Sequence, residues 1–526
     1  MGALTLKSFP FELKGWDVEE HEGLDPTDGF GSNIRVYVNK DQVIQIEPDY
    51  DNQVPYTWIT DKGRQFFDGV FVNKEMDLSF SKNTWLKLVK NLKQNLYVYY
   101  LCSHQSLNTQ YFTIVFQNVS LEILSLLNAI SNSYSFIKIR KAENTKINND
   151  LESNFQLNML SNKLSVKSST LCLLISTNTR FQGYRLNLNL RQKFFKGNFE
   201  CILMGSLIDL TFPITYLGSN LKVLKHIVCG SNSECQNLIK SKSPSIVFND
   251  ELLNRNDNSL SMLKALNNLM KPNYNWNGLN CLNSSLESTG QLSLTNFLTF
   301  NKKDFVNFSS LYLINVNFNQ FSKLKKIVKS KLLNYVQLEQ KKFVTNKLVI
   351  NQNVNRSNSL EFMMKNNKLF YVPISTFFED SSTFINTQGI VKRTSKISFN
   401  KKNRSSWQLL RKFLKTFQKT SPFLVGKDSK VAVLNINNYL IFKSFISFNL
   451  KATQNLTSLS YYLYTNNNFF FIKNFKFKSN YKKVYDTKLK YWLDDFFIGG
   501  KDDYSQNSLV LINCSKIIRS ENTNFF

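Results

Sequence analysis

Seven cysteines (Cys102, Cys172, Cys201, Cys229, Cys235, Cys281 and Cys514) and three histidines are the residues best suited to bind a metal or act as nucleophiles. Their spacing argues against both roles. No C-x-x-C pair occurs, so the close thiolate pairs of zinc and iron–sulfur sites are missing. His226, Cys229 and Cys235 come nearest to a ligand set, with His226 and Cys229 one helical turn apart, but they lack a fourth member. A helix-end histidine beside a core cysteine is the simpler account. Cys102 and His104 lie two residues apart on a strand or its exit, and a nucleophilic pair there is not the expected reading. Neither phosphate-cradling glycine pattern occurs, nor the G-x-S-x-G elbow. Gly29-Phe30-Gly31 follows no buried strand and reads as loop punctuation. Asp494-Asp495 and Asp502-Asp503 read as solvated surface.

One loop has better physics. The apolar run 171–177 ends in Ser176-Thr177-Asn178-Thr179-Arg180, directly before a helical pattern. Open α/β sheets bind ligands outside the carboxyl ends of their strands, where helix N-termini present free N–H groups. Asn178 and Arg180 are therefore candidates for holding a dinucleotide phosphate. The competing and favoured reading is local: the Asn caps the helix and the Arg pairs nearby.

The elements that would position this loop follow from periodicity. Residues 1–70 read as a small β-rich module, with alternating runs at 33–38 and 43–47 around a turn-like Asn39–Gln42 segment. From about residue 90, apolar strands alternate with helical segments. Strands are expected at 96–101, 135–140, 171–177, 199–205, 245–249 and 311–316, and helices at 121–130, 185–195, 221–228 and 259–270. Fully apolar strands alternating with helices predict a parallel sheet covered on both faces. Segments 322–345 and 404–417 read as basic helices, the second amphipathic. The expected fold class is thus α/β, in three parts: 1–70, the α/β region 71–420, and a basic C-terminal extension, 421–526. Strands near 430–449 are all that the extension suggests.

Composition sets outer limits. A chain of 526 residues with 42% apolar and 14% aromatic content can bury large cores. No uninterrupted apolar stretch approaches the ~18 residues that cross a bilayer. The scattered, odd-numbered cysteines exclude a disulfide scaffold and fit a reducing compartment. Sixty-six Lys and Arg against 38 Asp and Glu give a formal net charge of +28. That charge suggests either a nucleic-acid footprint or a codon bias towards Lys and Asn. The basic residues are spread along the whole chain, and no RNA-binding module is recognisable, so the bias is the reading adopted. The first twenty residues show neither a signal core nor an Arg-rich amphipathic stretch.

Several segments, in order, carry a likeness. GLDPTDGFGSNIRVYV (23–38), WITDKGRQFFDGV (58–70), LISTNTRFQGYRLNLNLRQKF (174–194), GSLIDLTFPITYLGSNLKVLKHI (205–227) and FYVPISTFFEDSSTFINTQGIVKRT (370–394) are the main ones. Together they resemble the C-terminal, molybdopterin oxidoreductase-like part of the largest peripheral-arm subunit of respiratory complex I. The likeness covers about half the chain. It implies Rossmann-like parallel-sheet domains of the molybdopterin oxidoreductase type and a structural, cofactor-less role in the matrix arm of NADH:ubiquinone oxidoreductase. It further implies iron–sulfur clusters and FMN in partner subunits, foremost an N-terminal iron–sulfur half carried as a separate chain, with accessory subunits around it. It implies location on the matrix side of the mitochondrial inner membrane, encoding within the mitochondrion, no membrane span and no nucleic-acid partner. The family's Gly-Thr-Asn-Pro-Arg loop stands here as Ser176 to Arg180, without the Gly and the Pro, which weakens a pterin role for Asn178 and Arg180. The rival expectations are a mitochondrial RNA-binding or ribosomal protein and an active molybdopterin oxidoreductase.

Overall fold

A computed structural model describes residues 13–50 (except 41), 58–71, 83–94 (except 93), 111–133, 137–142, 169–255 (except 242), 278–294, 297–300, 308–316, 348–354, 368–397, 404–420 and 503–523, with isolated positions at 259–266 and 304. The expected strands at 96–101 and 430–449 and the expected helix at 322–345 lie outside the described residues, as do Cys102 and His104. Most of the expected helix at 259–270 does too.

The N-terminal module is a three-stranded antiparallel sheet of β1 (Glu19–Leu24), β2 (Asn33–Asn39) and β3 (Gln42–Pro48). Period-2 alternation puts Ile34, Val36, Val38, Val43 and Ile46 on one face, where they form a core with Phe66, Val70 and Phe378. Lys40, at φ 56°, makes the β2–β3 turn. Two short helices, α1 (Asp61–Gln65) and α2 (Phe67–Phe71), follow. Thr60 starts the first by accepting a bond from Gly63 N at 3.0 Å.

Two five-stranded sheets, each wholly parallel, make up the larger part. One is assembled from β4 (Tyr111–Phe116) and β5 (Ile137–Lys141), joined by α3 (Leu121–Ser133). The other holds β6 (Leu171–Ile175), β7 (Glu200–Met204), β8 (Thr215–Gly218), β9 (Pro244–Asn249) and β10 (Leu279–Leu282). Its helices include α4 (Thr179–Gln182), α5 (Tyr184–Lys196), α6 (Leu221–Val228), α7 (Glu234–Lys240) and α8 (Leu286–Leu294). The chain then returns to the first sheet with β11 (Phe308–Ile314), β12 (Leu348–Asn353) and β13 (Lys368–Pro373). One sheet is therefore inserted in sequence between two parts of the other. Their strand orders are β13-β12-β11-β4-β5 and β10-β9-β6-β7-β8. Each begins on an inner strand, builds outwards on one side, then crosses back, so each has a topological switch point.

Burial explains why these strands read as apolar runs. Along β6, Leu171, Leu173 and Ile175 enter one core, and Cys172 and Leu174 enter the core on the opposite face. Both faces are covered, so alternation disappears and continuous hydrophobicity remains. α6 buries Leu221, Leu224 and Ile227 at helical spacing and is capped by Asn220, whose side chain accepts from Lys222 N at 3.0 Å.

Over the first sheet lies α9 (Ser406–Thr420), which buries Leu409, Leu410 and Phe413. Phe413 packs at 5.0 Å from Tyr312 and 5.1 Å from Trp85, centroid to centroid. Phe413→Ala is expected to lower stability by about 3–5 kcal/mol, read as a drop in the urea midpoint at unchanged slope. A hairpin of β14 (Thr383–Ile385) and β15 (Val391–Arg393) follows β13. The last described elements are α10 (Asp503–Asn507) and α11 (Leu509–Thr523), and α10 packs on α2.

Candidate functional site

The inserted sheet switches direction between β6 and β9, so its crevice lies where those strands end. Ser176, at φ 51°, turns the chain out of β6. Asn178 then caps α4, its Oδ1 accepting from Phe181 N at 3.3 Å. Thr179 Oγ1 donates to Asn187 Oδ1 at 2.9 Å, and Asn187 Nδ2 donates to Leu210 O at 3.1 Å. Arg180 turns outwards, with Nη1 3.0 Å from Asp209 Oδ2 and 3.1 Å from Asp209 O. Across the switch, Asn249 Nδ2 donates to Gln182 Oε1 at 3.1 Å and Ser284 Oγ to Asp250 Oδ2 at 3.1 Å. Two buried atoms in this loop have no hydrogen-bond partner, Thr177 Oγ1 and Asn178 Nδ2.

The two residues singled out in the sequence thus do local work. Asn178 is a helix cap, and Arg180 belongs to a surface ion pair. Asn178→Ala should cost about 1 kcal/mol through the lost cap. Arg180→Ala should cost less than about 1 kcal/mol, because its partner is exposed. Thermal unfolding of the two variants checks that order.

A second constellation escaped the sequence reading. The loop from Asp25 to Ser32 lies across the ends of the inserted sheet, with Pro26 O accepting from Leu286 N at 3.3 Å. Phe30 is fully buried against Leu174, Leu186 and Leu282. Asp28 Oδ2 accepts from Ser32 Oγ at 2.6 Å and its Oδ1 from Phe30 N at 3.1 Å. Ser32 Oγ lies 2.9 Å from Tyr184 Oη, to which Arg185 Nε donates at 3.1 Å. From the other side, Thr387 donates through N and Oγ1 to Gly29 O, at 2.8 and 2.7 Å. Asn386 Nδ2 donates to Phe30 O at 3.1 Å and Lys392 Nζ to Gly31 O at 2.8 Å. A Cβ on Gly29 would come within 2.2 Å of Asn283 O, so only glycine permits this approach.

Asp25 completes the clasp. Its Oδ1 accepts from Thr27 N and Oγ1 at 2.8 and 2.7 Å, and its Oδ2 has no partner. Full burial, reinforced by the neighbouring Asp28 charge, raises its pKa to about 7. Burial raises Asp28 as well, against the hydrogen bonds from Ser32 and Phe30 N that favour its charged form. The signal available in the sequence was DPTDGFGS, where turn-forming residues and acids occur with no nearby basic residue to solvate them.

Elsewhere the chemistry-bearing side chains stay apart. His226 Nδ1 meets Ser231 Oγ at 3.0 Å, Cys229 is exposed, and Cys235 is buried. Among the described residues no three His, Cys, Asp or Glu side chains converge as a metal site. None of the helices described is long and apolar enough to cross a membrane.

Paired doubly wound sheets behind a small β module define the class of the protein. Residues 118–416 match the family described as Molybdopterin oxidoreductase, and the chain belongs to that family. Residues 18–68 match the NADH-ubiquinone oxidoreductase NDSU1/NuoG-like, 4Fe-4S domain. Among curated proteins the chain is similar to the NADH-ubiquinone oxidoreductase 75 kDa subunit of Reclinomonas americana. The two are 26% identical over 84% of this chain and 63% of that protein. It is also similar to the mitochondrial NADH-ubiquinone oxidoreductase 78 kDa subunit of Candida albicans, 26% identical over 56% of this chain and 41% of that protein. A third relative is the 78 kDa subunit of Neurospora crassa, 24% identical over 55% of this chain and 40% of that protein. The chain therefore spans between about two fifths and two thirds of the length of these relatives.

These likenesses imply two groups that can be tested against the residues present. A 4Fe–4S cluster is held by thiolates, and residues 18–68 contain no cysteine. Apart from Asp25 Oδ2, which has no hydrogen-bond partner, the inward carboxyl and hydroxyl groups of the 25–32 loop are engaged with one another, with the loop backbone and with Tyr184. The residues do not fit a cluster. For a molybdenum cofactor the switch-point loop offers two open polar atoms, Thr177 Oγ1 and Asn178 Nδ2, while Asn178 Oδ1 and Arg180 are engaged locally.

Proposed function

We propose that this chain is a subunit of the matrix arm of mitochondrial complex I, carrying no redox group of its own. In this reading it is a scaffold. It holds a separate iron–sulfur-bearing polypeptide that passes electrons from the FMN of a flavin-binding subunit towards ubiquinone. Further contacts are with accessory subunits, on the matrix side of the inner membrane, and the gene is mitochondrial. The observation that carries the proposal is the clasp at Asp25–Ser32. In a module of the 4Fe–4S type, the loop that faces the inserted sheet is closed by carboxylate, hydroxyl and backbone hydrogen bonds and offers no thiolate. The ordered likeness to 75 kDa-type subunits over 84% of the chain supports the assignment to the complex.

Native-gel separation of mitochondrial membranes, followed by mass spectrometry and metal analysis, tests it. Migration with NADH dehydrogenase activity, together with a different polypeptide carrying the cluster cysteines, is the expected result. Migration with ribosomal particles, molybdenum in the purified chain, or cluster cysteines on this same polypeptide would overturn it.

A further inference from the structure

Two buried thiols face each other in the inserted sheet. Cys172 on β6 and Cys201 on β7 are register partners on neighbouring parallel strands. They enter the same core and are 0% and 3% exposed. Neighbouring strands lie about 4.8 Å apart, inside the Cα separation of about 4.4–6.8 Å that a disulfide spans. Interaction between the neighbouring thiols lowers the pKa of Cys172, while the same interaction and burial hold that of Cys201 well above its ordinary value. One of the two is therefore the better nucleophile and the other the better proton carrier.

A cation completes the group. Lys193 reaches down from α5, is half-buried, and donates to Ser169 O at the start of the strands. Burial lowers its pKa to about 8, and the charge of Cys172 pulls it back up. A cation at this edge of the layer favours a thiolate on Cys172. Two core cysteines are ordinarily inert small hydrophobes. Here two features depart from that: the register pairing of the thiols and a half-buried lysine at the edge of their layer. The scaffold role uses neither.

We propose that Cys172 and Cys201 form a reversible disulfide on reaction with a peroxide, which makes the β6–β7 pair a redox-modification site. Lys193 accepts the Cys172 proton. The thiolate sulfur attacks one peroxide oxygen, an S–O bond forms, and the O–O bond breaks. The departing hydroxide takes the proton from Lys193 and leaves as water. The Cys201 sulfur then attacks the sulfenic sulfur, an S–S bond forms, the S–O bond breaks, and the second water carries off the Cys201 proton. Two thiols lose two electrons in total, and one peroxide becomes two waters. Burial selects the oxidant. With the cysteines 0% and 3% exposed, a small oxidant needs far less opening of the strands than a bulky disulfide such as oxidised glutathione.

The test uses the full chain under native conditions. It is treated with hydrogen peroxide or, separately, with oxidised glutathione, then denatured, alkylated and digested for mass spectrometry. The expected result is a Cys172–Cys201 linked peptide, two hydrogens lighter than the thiol pair, after peroxide but not after glutathione. It should disappear on treatment with dithiothreitol. Lys193→Met keeps the stem, loses the amine, and should form the link about tenfold more slowly. Cys201→Ala should instead leave a sulfenic acid at Cys172 that dimedone traps. Complete alkylation of both thiols in peroxide-treated wild type would overturn the proposal, and that measurement needs no variant to fold.

Discussion

Asp25→Asn should reduce the pH dependence of the N-terminal module, leaving that of Asp28, and stabilise it by up to about 4 kcal/mol above pH 7. The reason lies in the clasp. The Asp25 carboxyl is buried beside Asp28, with one oxygen unpartnered, and its pKa rises from 3.8 to about 7. The folded module therefore binds this proton more tightly than the unfolded chain does. Stability from the group is whole below about pH 4, declines as pH rises through the interval, and is lost above about pH 7. An amide has nearly the shape of the neutral acid and no proton to lose. Amide hydrogen exchange across β1–β3 at pH 5, 6, 7 and 8 reads the effect. Wild type should open more easily relative to Asp25→Asn as pH rises. Parallel pH profiles for the two proteins would remove Asp25 as the cause.

Gly69→Val has the second large expected effect, where the N-terminal helix α2 meets the C-terminal α10. A Cβ on Gly69 would lie 1.9 Å from Tyr504 O and 2.8 Å from Ser508 N. Both are backbone atoms, so α2 and α10 touch main chain to main chain and neither can yield by a rotamer change. Asp68 Oδ2 accepts from Val510 N at 3.3 Å, placing a negative charge at the start of α11. Ser508 Oγ accepts from Leu511 N at 3.2 Å in the same turn. Forcing α10 outwards breaks these bonds and separates Tyr504 from Phe66 and Phe377, at 6.2 and 6.0 Å. The expected cost is about 3 kcal/mol or more, at the upper end of overpacking penalties. Limited proteolysis should then release a fragment containing 503–523 while the rest resists. Equal resistance of that segment in the variant and in wild type would show that the close approach does not hold the helices.

Part of the architecture was readable from apolar period alone, while β1, β4, β8, β10 and β12 to β15 were not expected. Continuous runs such as 171–175 and alternating ones such as 33–38 marked β6 and β2, because one or both faces lie in apolar cores. β12 was missed. Its six residues are all buried, yet Asn351, Gln352 and Asn353 make half of it polar. Two of those amides have partners distant in sequence: Gln352 meets Tyr312 Oη and Ser406, and Asn353 Nδ2 donates to Val316 O at 3.3 Å, while Asn351 Oδ1 is buried without one. Polar burial satisfied by remote groups leaves no periodic trace. The same holds for the 25–32 clasp. It read as loop punctuation because its glycines and acids do form a turn, and the residues that lock it come from 184–185 and 386–392. Asn178 Oδ1 and Arg180 Nη1, by contrast, meet groups nearer in sequence, Phe181 N and Asp209, while Asn178 Nδ2 is left without a partner.

The insertion of one parallel sheet into the other has a consequence for how the chain is made. β6 to β10 lie between residues 171 and 282, so that sheet can complete itself soon after its residues leave the ribosome. β4 and β5 cannot. The inner strand β4 must wait for β11 at 308 and then for β12 and β13. During that interval its backbone edge and the apolar side chains Phe112, Ile114 and Phe116 have no sheet to join. Nascent chains arrested between the synthesis of β10 and β11 should therefore present a bound site for holdase chaperones at 111–116, and those arrested beyond β13 should not. Assembly of this protein is thus paced by translation of its last parallel strands, and chaperone demand should peak while the earliest β-strand pair of the discontinuous unit stands alone.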